Sequence, residues 1–557
     1  MDAILDFFGD FGNSFVSGAA ILADPMIWVA VAIGSLIGVV LGALPGVGTT
    51  LAYALILPFT FGLDITTTIV LLMSVSVGAQ YGNSIPAILV GVPGTPAAAL
   101  TVLDGHALHK KGDSGFALAI AWVSSISGQV VSILFFIAAV IPLAAIAYFF
   151  LQPELFALYL FGLVAIVSLT GKNVLKGLLA VGLGLTLALI GLDPVNSTAR
   201  FTFDIPWLRT GIAPAILVIG LLAVSELFRQ TRQHFQWDVK SKFNAKFPNI
   251  RRLLPLWPAT LSGTAIGTLI GAVPGAGATP AAMIAYQNAR VISKHPEKFG
   301  KGAPDGIASN EAAQNASNSG ELIPTLGLGI PGSGSMVLLL AALTLNGFVP
   351  GPFLVSESPQ LFFAVIAGLL GSSIFLMLTG WVIARLLLRL LTVNRSVVII
   401  LSLVTVVLGV YSLSFRITDV LLCFAAGALG YFMLRYGYST AAIALAVVLA
   451  GGFEASLRRG MSIFDDNFLN FVSRPITLVI IILAFAFLVI GIRRTAKFAT
   501  AERLLVARQV VAHHEANQSG GTKDAATSTE STPAADAAAS GRSGGDTAPP
   551  SGKDTPS

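Results

Sequence analysis

Apolar residues run along this chain in long blocks, separated by short polar or Gly/Pro-rich intervals. In the first half the blocks cover 27–44, 51–61, 65–77, 87–103, 116–141, 143–169, 174–192 and 212–227; further on they cover 362–391, 397–413, 420–434, 441–449 and 476–492. A helix that crosses a bilayer needs about 20 mostly apolar residues. Most of the blocks approach that length, and 51–61 is short enough to read as a half-helix. The pattern predicts an all-α polytopic membrane protein with 10–14 transmembrane segments, some of them broken or re-entrant.

The breaks have a pattern of their own. Leu44-Pro45-Gly46-Val47-Gly48-Thr49 interrupts the first apolar stretch, and Asn83-Ser84-Ile85-Pro86 followed by Gly91-Val92-Pro93-Gly94-Thr95-Pro96 interrupts a later one. Proline removes a backbone donor and clashes with the preceding turn, while glycine admits positive φ and close approach. In lipid, non-helical backbone is tolerated only where protein buries it or where it lines a polar cavity, so these breaks mark a site. Much of the signature returns as Val273-Pro274-Gly275-Ala276-Gly277 and, later, as Leu322-Ile323-Pro324 with Gly329-Ile330-Pro331-Gly332-Ser333. Pro45 and Pro274 lie 229 positions apart, as do Gly34, Gly38, Gly42, Gly46 and Gly48 and their counterparts Gly263, Gly267, Gly271, Gly275 and Gly277. Pro86 and Pro324, like Pro93 and Pro331, are offset by 238, so the second copy carries nine extra residues between its breaks. The chain is a duplication, and paired Gly/Pro-interrupted segments in two halves point to the binding site of a secondary transporter. Gly34, Gly38 and Gly42, four apart on one helix face, are expected to form a packing seam.

Composition removes the soluble classes. Of 557 residues 55% are hydrophobic and 11% charged, against about 25% charged in soluble proteins; the mean hydropathy is +0.82. The net charge of +5 does not point to nucleic acid, because the basic residues sit in short connections and the tail with no nucleic-acid-binding motif beside them. Cys423 is the single cysteine, which excludes an intramolecular disulfide and any multi-cysteine metal site. Met1 to Asn13 holds Asp2, Asp6 and Asp10 but no Lys or Arg, so it lacks the basic start of a cleaved signal peptide and the first block is expected to be retained.

Charge also orders the halves. Arg229, Arg232, Lys240, Lys242, Lys246, Arg251 and Arg252 stand against Asp238 alone, and Arg493, Arg494, Lys497, Arg503 and Arg508 follow the last block. Positive connections stay in the cytoplasm. The expected organisation is therefore an external segment 1–26, a first repeat 27–228, a cytoplasmic loop 229–253, a second repeat 254–492 entering from the opposite side, and a cytoplasmic tail 493–557. The tail is rich in Ser, Thr, Gly, Ala, Asp and Pro from about 517 and is expected to be disordered. The segment 104–113, with His106 and His109, reads as a short solvated loop, and no metal is assigned to it. Residues 305–318 carry small and amide residues at helical spacing, with Asp305 or Ser309 as N-cap. They lead straight into the Pro324 and Pro331 breaks, which favours a functional helix over an exposed loop.

These motifs, together with Leu57-Pro58-Phe59-Thr60-Phe61-Gly62-Leu63-Asp64, Tyr81-Gly82, Leu103-Asp104-Gly105, Ala285-Tyr286, Glu297-Lys298-Phe299-Gly300 and Glu311-Ala312-Ala313, resemble the large membrane subunit of tripartite tricarboxylate transporters, the TctA family, over roughly 27–450. The resemblance implies an ion-driven symporter of the bacterial cytoplasmic (inner) membrane. It would work with a small TctB-like membrane subunit and a periplasmic TctC-like solute-binding protein. Di- and tricarboxylates are the implied substrates, with Na⁺ as the transported coupling ion and no bound cofactor. The chain departs from the family pattern at Asn83, Gly91 and Glu321, the last standing where a small residue is common.

The candidate substrate- and ion-binding residues are Pro45, Gly46, Gly48, Thr49, Asn83, Ser84, Pro93, Gly94 and Thr95 in the first copy. In the second they are Pro274, Gly275, Gly277, Thr279, Asn310, Asn315, Pro331, Gly332 and Ser333. The N-terminus of a broken helix carries unpaired N–H groups and about half a positive charge, which suits an anion, while the carbonyl-bearing ends suit a cation. A passive anion channel is the alternative function, and a membrane enzyme or flippase a more distant one. Gly42 to Gly48 lacks the Gly-Lys-Ser/Thr of a phosphate loop, and no His, Cys or paired-acid constellation offers catalysis.

Overall fold

The computed structural model describes residues 18, 20–44, 47–60, 62–147, 149–170, 173–193, 198–231, 247–390 and 395–493. Within them the protein is an all-α polytopic membrane protein whose β structure is one antiparallel pairing of two dipeptides, β1 (Gly191–Leu192) and β2 (Ala199–Arg200). Nine helices among the described residues are long and apolar enough to cross a membrane, fewer than the 10–14 segments expected. Shorter apolar helices among the described residues include 49–60 and Gly334–Leu345. The breaks convert would-be spans into such half-length pieces.

In the first half, α1 (Pro25–Ala43) starts behind Asp24, whose carboxylate accepts from Met26 N at 2.8 Å. It is followed by α2 (Thr49–Ile56), α3 (Ile65–Gly82) and α4 (Ser84–Leu89). Next come α5 (Ser114–Ala147), α6 (Gln152–Thr170), α7 (Val174–Ala188) and α8, in which Pro214–Ile219 and Ser225–Gln230 are joined by the π-helical turn Gly220–Val224. The second half has α9 (Trp257–Gly271), α10 (Ala278–Ile292), α11 (Pro304–Gly327), α12 (Gly334–Leu345), α13 (Pro359–Leu390), α14 (Arg395–Ser414), α15 (Ile417–Arg435), α16 (Thr440–Ile463) and α17 (Pro475–Arg493).

The duplication recurs in the packing. A Cβ on Gly34, Gly38 or Gly42 of α1 would meet the carbonyl oxygens of Leu71, Val75 and Ala79 on α3 at 2.7, 2.4 and 2.2 Å. On α9 the equivalents Gly263, Gly267 and Gly271 would meet the carbonyls of Ser309, Ala313 and Ser317 on α11 at 2.3, 2.4 and 2.5 Å. Each partner is offset by the same 238 positions, so the four-residue spacing is a packing seam in both halves. The extra residues of the second copy fall in α10, which has 15 residues where α2 has 8, and in the turn after it.

The halves interlock. α3 packs against α1 and against α13 of the other half, while α11 packs against α9 and against α5 of the other half. Small residues allow this approach as well: a Cβ on Gly128 of α5 would lie 2.8 Å from the Ala312 carbonyl, and one on Gly368 of α13 2.7 Å from the Met73 side chain.

Four expectations are corrected. The apolar block 143–169 is not one span: α5 continues through Pro142 to Ala147, and a new helix starts at Gln152. Pro153 and Glu154 therefore open α6, where proline's missing N–H costs nothing, and buried Glu154 accepts from Leu151 N at 2.8 Å and from Arg474 at 2.7 Å. The segment read as a solvated loop at 104–113 is helical over Val102–Lys110, with Asp104 and His109 buried. Neither Asp305 nor Ser309 caps α11; the cap is Ala303, and the Ser309 hydroxyl donates instead to the Ala285 carbonyl at 3.0 Å. The block 441–449 extends to Ile463 because Arg458 and Glu454 in its polar half join Asp193 and Arg200 in an ion-pair cluster. The basic loop from Arg232 to Lys246 and the tail from Arg494 onward lie outside the described residues.

Candidate functional site

The two Ile-Pro breaks are built alike. After α4, Val90 N and Val92 N both donate to the Pro86 carbonyl, at 2.9 and 3.4 Å; after α11, Leu328 N and Ile330 N both donate to the Pro324 carbonyl at 3.0 Å. Gly91 and Gly329, at equivalent places, take φ of 75° and 72°, a backbone that favours glycine. The chain turns there, and each turn brings its following residues back onto the helix it has just left. A Cβ on Gly94 would lie 2.9 Å from the Asn83 Cβ, and one on Gly332 would lie 2.7 Å from the Glu321 Cβ. Asn83 and Glu321 are themselves equivalent positions.

The Pro-Gly breaks meet the Ile-Pro breaks within each half. A Cβ on Gly48 would sit 3.3 Å from Thr95 Cγ2, and one on Gly277 would sit 3.6 Å from Ser333 Cβ and 3.8 Å from Glu321 Oε1. Pro45 and Gly46 lie outside the described residues. Pro274, Gly275 and Gly277 are buried, and Gly275 and Gly277 take φ of 78° and 69°. Gly48 differs from its counterpart, being extended at φ −77°. Thr49 and Thr279 stand half-buried in the first turns of α2 and α10, and Pro93 and Pro331 hold the turns that precede Gly94 and Gly332. Thr95 accepts from Ala98 N at 3.3 Å, and the Ser333 hydroxyl donates to Glu321 Oε2 at 2.5 Å.

Gly94 and Gly332 are glycines for packing, since a Cβ would also lie 2.6 Å from the Gly42 carbonyl and 2.6 Å from the Glu321 Cα respectively. A bulky side chain at either place would dislodge the break rather than probe a ligand. The halves meet at the α2 and α12 N-termini, where a Cβ on Gly334 would stand 3.3 Å from Thr50 Oγ1.

Between the halves, α3 and α11 share a buried polar seam. Ser76 Oγ donates to Asn318 Oδ1 at 2.7 Å, and Asn83 Nδ2 reaches Gln80 Oε1 at 3.4 Å and Gln314 Oε1 at 3.5 Å. Gln129 of α5 donates to Ser319 at 2.6 Å. Asn83 Oδ1, Gln129 Oε1, Asn310 Oδ1, Gln314 Nε2, Asn315 Oδ1 and Asn318 Nδ2 are buried with no hydrogen-bond partner. Six such atoms along one seam is unusual, because an unpaired buried polar group costs about 1–3 kcal/mol. Of the predicted residues, the seam gathers Asn83, Asn310 and Asn315, and Asn310 Nδ2 donates to Thr101 Oγ1 at 2.7 Å.

The sequence reading did not single out Gln80, Thr101, Ser125, Gln129, Gln314 or Asn318, nor the role of Glu311 and Glu321. A signal for the acids was present: both stand in the polar helix that leads into the Pro324 and Pro331 breaks, and an ionisable residue within a membrane region is a functional candidate by default. Glu311 accepts from Ser84 and Thr101, and from Ser125 at 3.1 Å. A cavity of about 660 Å³, lined in part by Arg209, Thr210, Thr344 and Arg459, lies at the far end of α12 and contains none of the predicted site residues.

Comparison with known proteins places the chain in a family. Residues 28–445 match the model of the Tripartite tricarboxylate transporter TctA family. The chain is 34% identical over 470 residues to an uncharacterized 52.8 kDa protein in the TAR-I ttuC' 3'region of Agrobacterium vitis, covering 83% of this chain and 92% of that protein. It is 33% identical over 210 residues to an uncharacterized protein in the TAR-II ttuC' 3'region of the same organism, covering 38% of this chain and 87% of that one. No solved structure matches it.

Proposed function

The chain belongs to the Tripartite tricarboxylate transporter TctA family, and from that premise we propose that it is the large membrane subunit of a secondary transporter that imports small organic anions, di- or tricarboxylates, by symport with Na⁺. It acts in the bacterial inner membrane beside a small TctB-like subunit, and a periplasmic TctC-like binding protein delivers its substrate. The observation that carries this reading is the meeting of helix breaks from both halves around a seam of unpaired amide groups, in a chain that is otherwise apolar. Water-free hydrocarbon would make such a seam costly unless a polar solute used it.

The anion is held where the α2 and α12 N-termini converge at Thr50 and Gly334, with Thr95 and Asn83 beside them. Helix N-termini present free N–H groups and positive potential. Each hydrogen bond to a charged group contributes about 1.5–3 kcal/mol, so a few replace a carboxylate's water. The two repeats, 27–228 and 254–492, enter the membrane from opposite sides, with residues 1–26 outside and the loop 229–253 and tail 493–557 in the cytoplasm. An inverted repeat lets one site face each side in turn. Each charge moved across the membrane is worth about 2.3 kcal/mol per 100 mV, so co-transported Na⁺ drives accumulation of an anion.

The test is counterflow in proteoliposomes that hold this chain and its small subunit, with binding protein and labelled carboxylate outside. Unlabelled substrate inside should accelerate uptake, and an inward Na⁺ gradient should drive accumulation. Flux indifferent to internal substrate would mean a channel, and accumulation indifferent to Na⁺ would end the symport reading.

A further inference from the structure

We infer that Glu311, Ser84, Thr101 and Ser125, with the Asn310 amide oxygen, form a binding site for a bare alkali cation, Na⁺, inside the membrane core. The inference rests on the transport reading only for its purpose, since it names where the coupling ion binds; the geometry stands by itself.

Most buried carboxylates among the described residues are neutralised in one of two ways; Glu311 fits neither, and nor does Glu321, which accepts from the Ser333 hydroxyl where Glu311 gathers three hydroxyls. Glu154 pairs with Arg474, Asp193 with Arg200 and Arg458, and Asp419 with Arg416. Asp104 meets no cationic side chain among the described residues but accepts from Gly302 N, Ala303 N and the Tyr286 hydroxyl, each at 2.8 Å. Glu311 is fully buried, and among the described residues no Lys, Arg, His or backbone N–H meets its carboxylate. Its partners are three hydroxyls. Peptide N–H groups can only donate, whereas a hydroxyl that donates to a carboxylate keeps lone pairs for a cation. An ionised carboxylate deprived of water and of a counter-charge is strongly disfavoured.

A second observation points the same way. Asn310 is fully buried, its Nδ2 is spent on Thr101 Oγ1 at 2.7 Å, and its Oδ1 has no partner. Carboxylate, hydroxyl and amide oxygens without nitrogen or sulfur are the ligand set of a hard cation. The set also crosses the molecule: Glu311 and Asn310 come from α11, whereas Ser84 opens α4, Thr101 follows the Pro93–Thr95 break, and Ser125 lies on α5. A cation there ties α11 of one half to the broken segment of the other. Ser84 adjoins Asn83, so cation occupancy fixes the break on which the anion depends. The residue equivalent to Glu311 in the first half is Met73, so the site occurs once despite the duplication.

The experiment is equilibrium binding of ²²Na⁺ to the purified full-length chain in detergent, without substrate, at about pH 8, where an ordinary carboxylate is ionised. Wild type should bind ²²Na⁺ saturably, displaced by unlabelled Na⁺ and poorly by K⁺. Glu311→Gln, which keeps the shape and removes the charge, should weaken binding about a hundredfold. Thr101→Val, which keeps the charge and tests the shell should Glu311→Gln fail to purify as a single species, should weaken it about tenfold. Undiminished ²²Na⁺ binding by either monodisperse variant, or no binding by wild type, overturns the inference. If uptake by wild type needs Na⁺ while the variants bind it normally, this site falls and the symport stands; if uptake ignores Na⁺, the symport falls whatever the binding result.

Discussion

Replacing Gly267 by alanine tests the seam that carries the site. The new methyl would lie 2.4 Å from the Ala313 carbonyl oxygen and 2.7 Å from its Cα. Ordinary contact begins near 3.4 Å, so α9 and α11 would have to part by about 1 Å, enough to forfeit a quarter to a half of each dispersion contact along the seam. Overpacking of this kind costs about 1–3 kcal/mol. Removing a glycine from a helix returns about 1 kcal/mol, leaving a net loss of up to about 2 kcal/mol. Gly38→Ala should behave alike, because its methyl would stand 2.4 Å from the Val75 carbonyl in the equivalent seam. Gly182→Ala on α7 is the control: nothing lies within 4 Å of its Cβ, so only the helix gain remains. Melting followed by fluorescence-detected gel filtration should show both seam variants less stable and less abundant than wild type, and the control unchanged or better. Gly267→Ala melting with wild type while Gly182→Ala falls would refute the duplicated seam.

Thr95→Val and Ser333→Ala each remove one hydroxyl beside a break, and each should raise the substrate concentration for half-maximal uptake about 10- to 100-fold. Thr95→Ser should retain affinity, and the readout is radiolabelled uptake normalised to protein in the membrane. Asn83→Asp would put an acid on both sides of the pseudo-symmetry, opposite Glu321, and by repulsion weaken the anion by a similar factor; unchanged uptake affinity would move the anion away from the first break. A reporter active only in the periplasm, fused after Lys242, should give no signal, and strong activity there would overturn the opposed entry of the repeats.

The part of the fold legible in the sequence is the part that backbone chemistry dictates. Proline and glycine announce themselves, so the four breaks, the 229- and 238-residue offsets and the Gly34–Gly38–Gly42 seam were visible before any contact was known. What could not be read was burial by the other half. Asp104, His106 and His109 look like solvent residues in a linear chain; only when α10 and the 300–303 turn fold over them do Tyr286, Gly302 and Ala303 supply the donors that let Asp104 be buried. The same holds for α11, whose Asn, Gln and Ser residues suit an exposed helix until α3 and α5 cover them. Duplication then makes departure from symmetry informative. A scaffold that repeats its seams, its positive-φ glycines and its Pro86 and Pro324 hydrogen bonds puts acids at Glu311 and Glu321 but methionine and asparagine at the equivalent Met73 and Asn83. Packing alone asks both halves for the same residues. On the proposed reading this asymmetry follows the cargo: Asn83 leaves its break neutral for an anion, and Glu311 gives the cation its own oxygens.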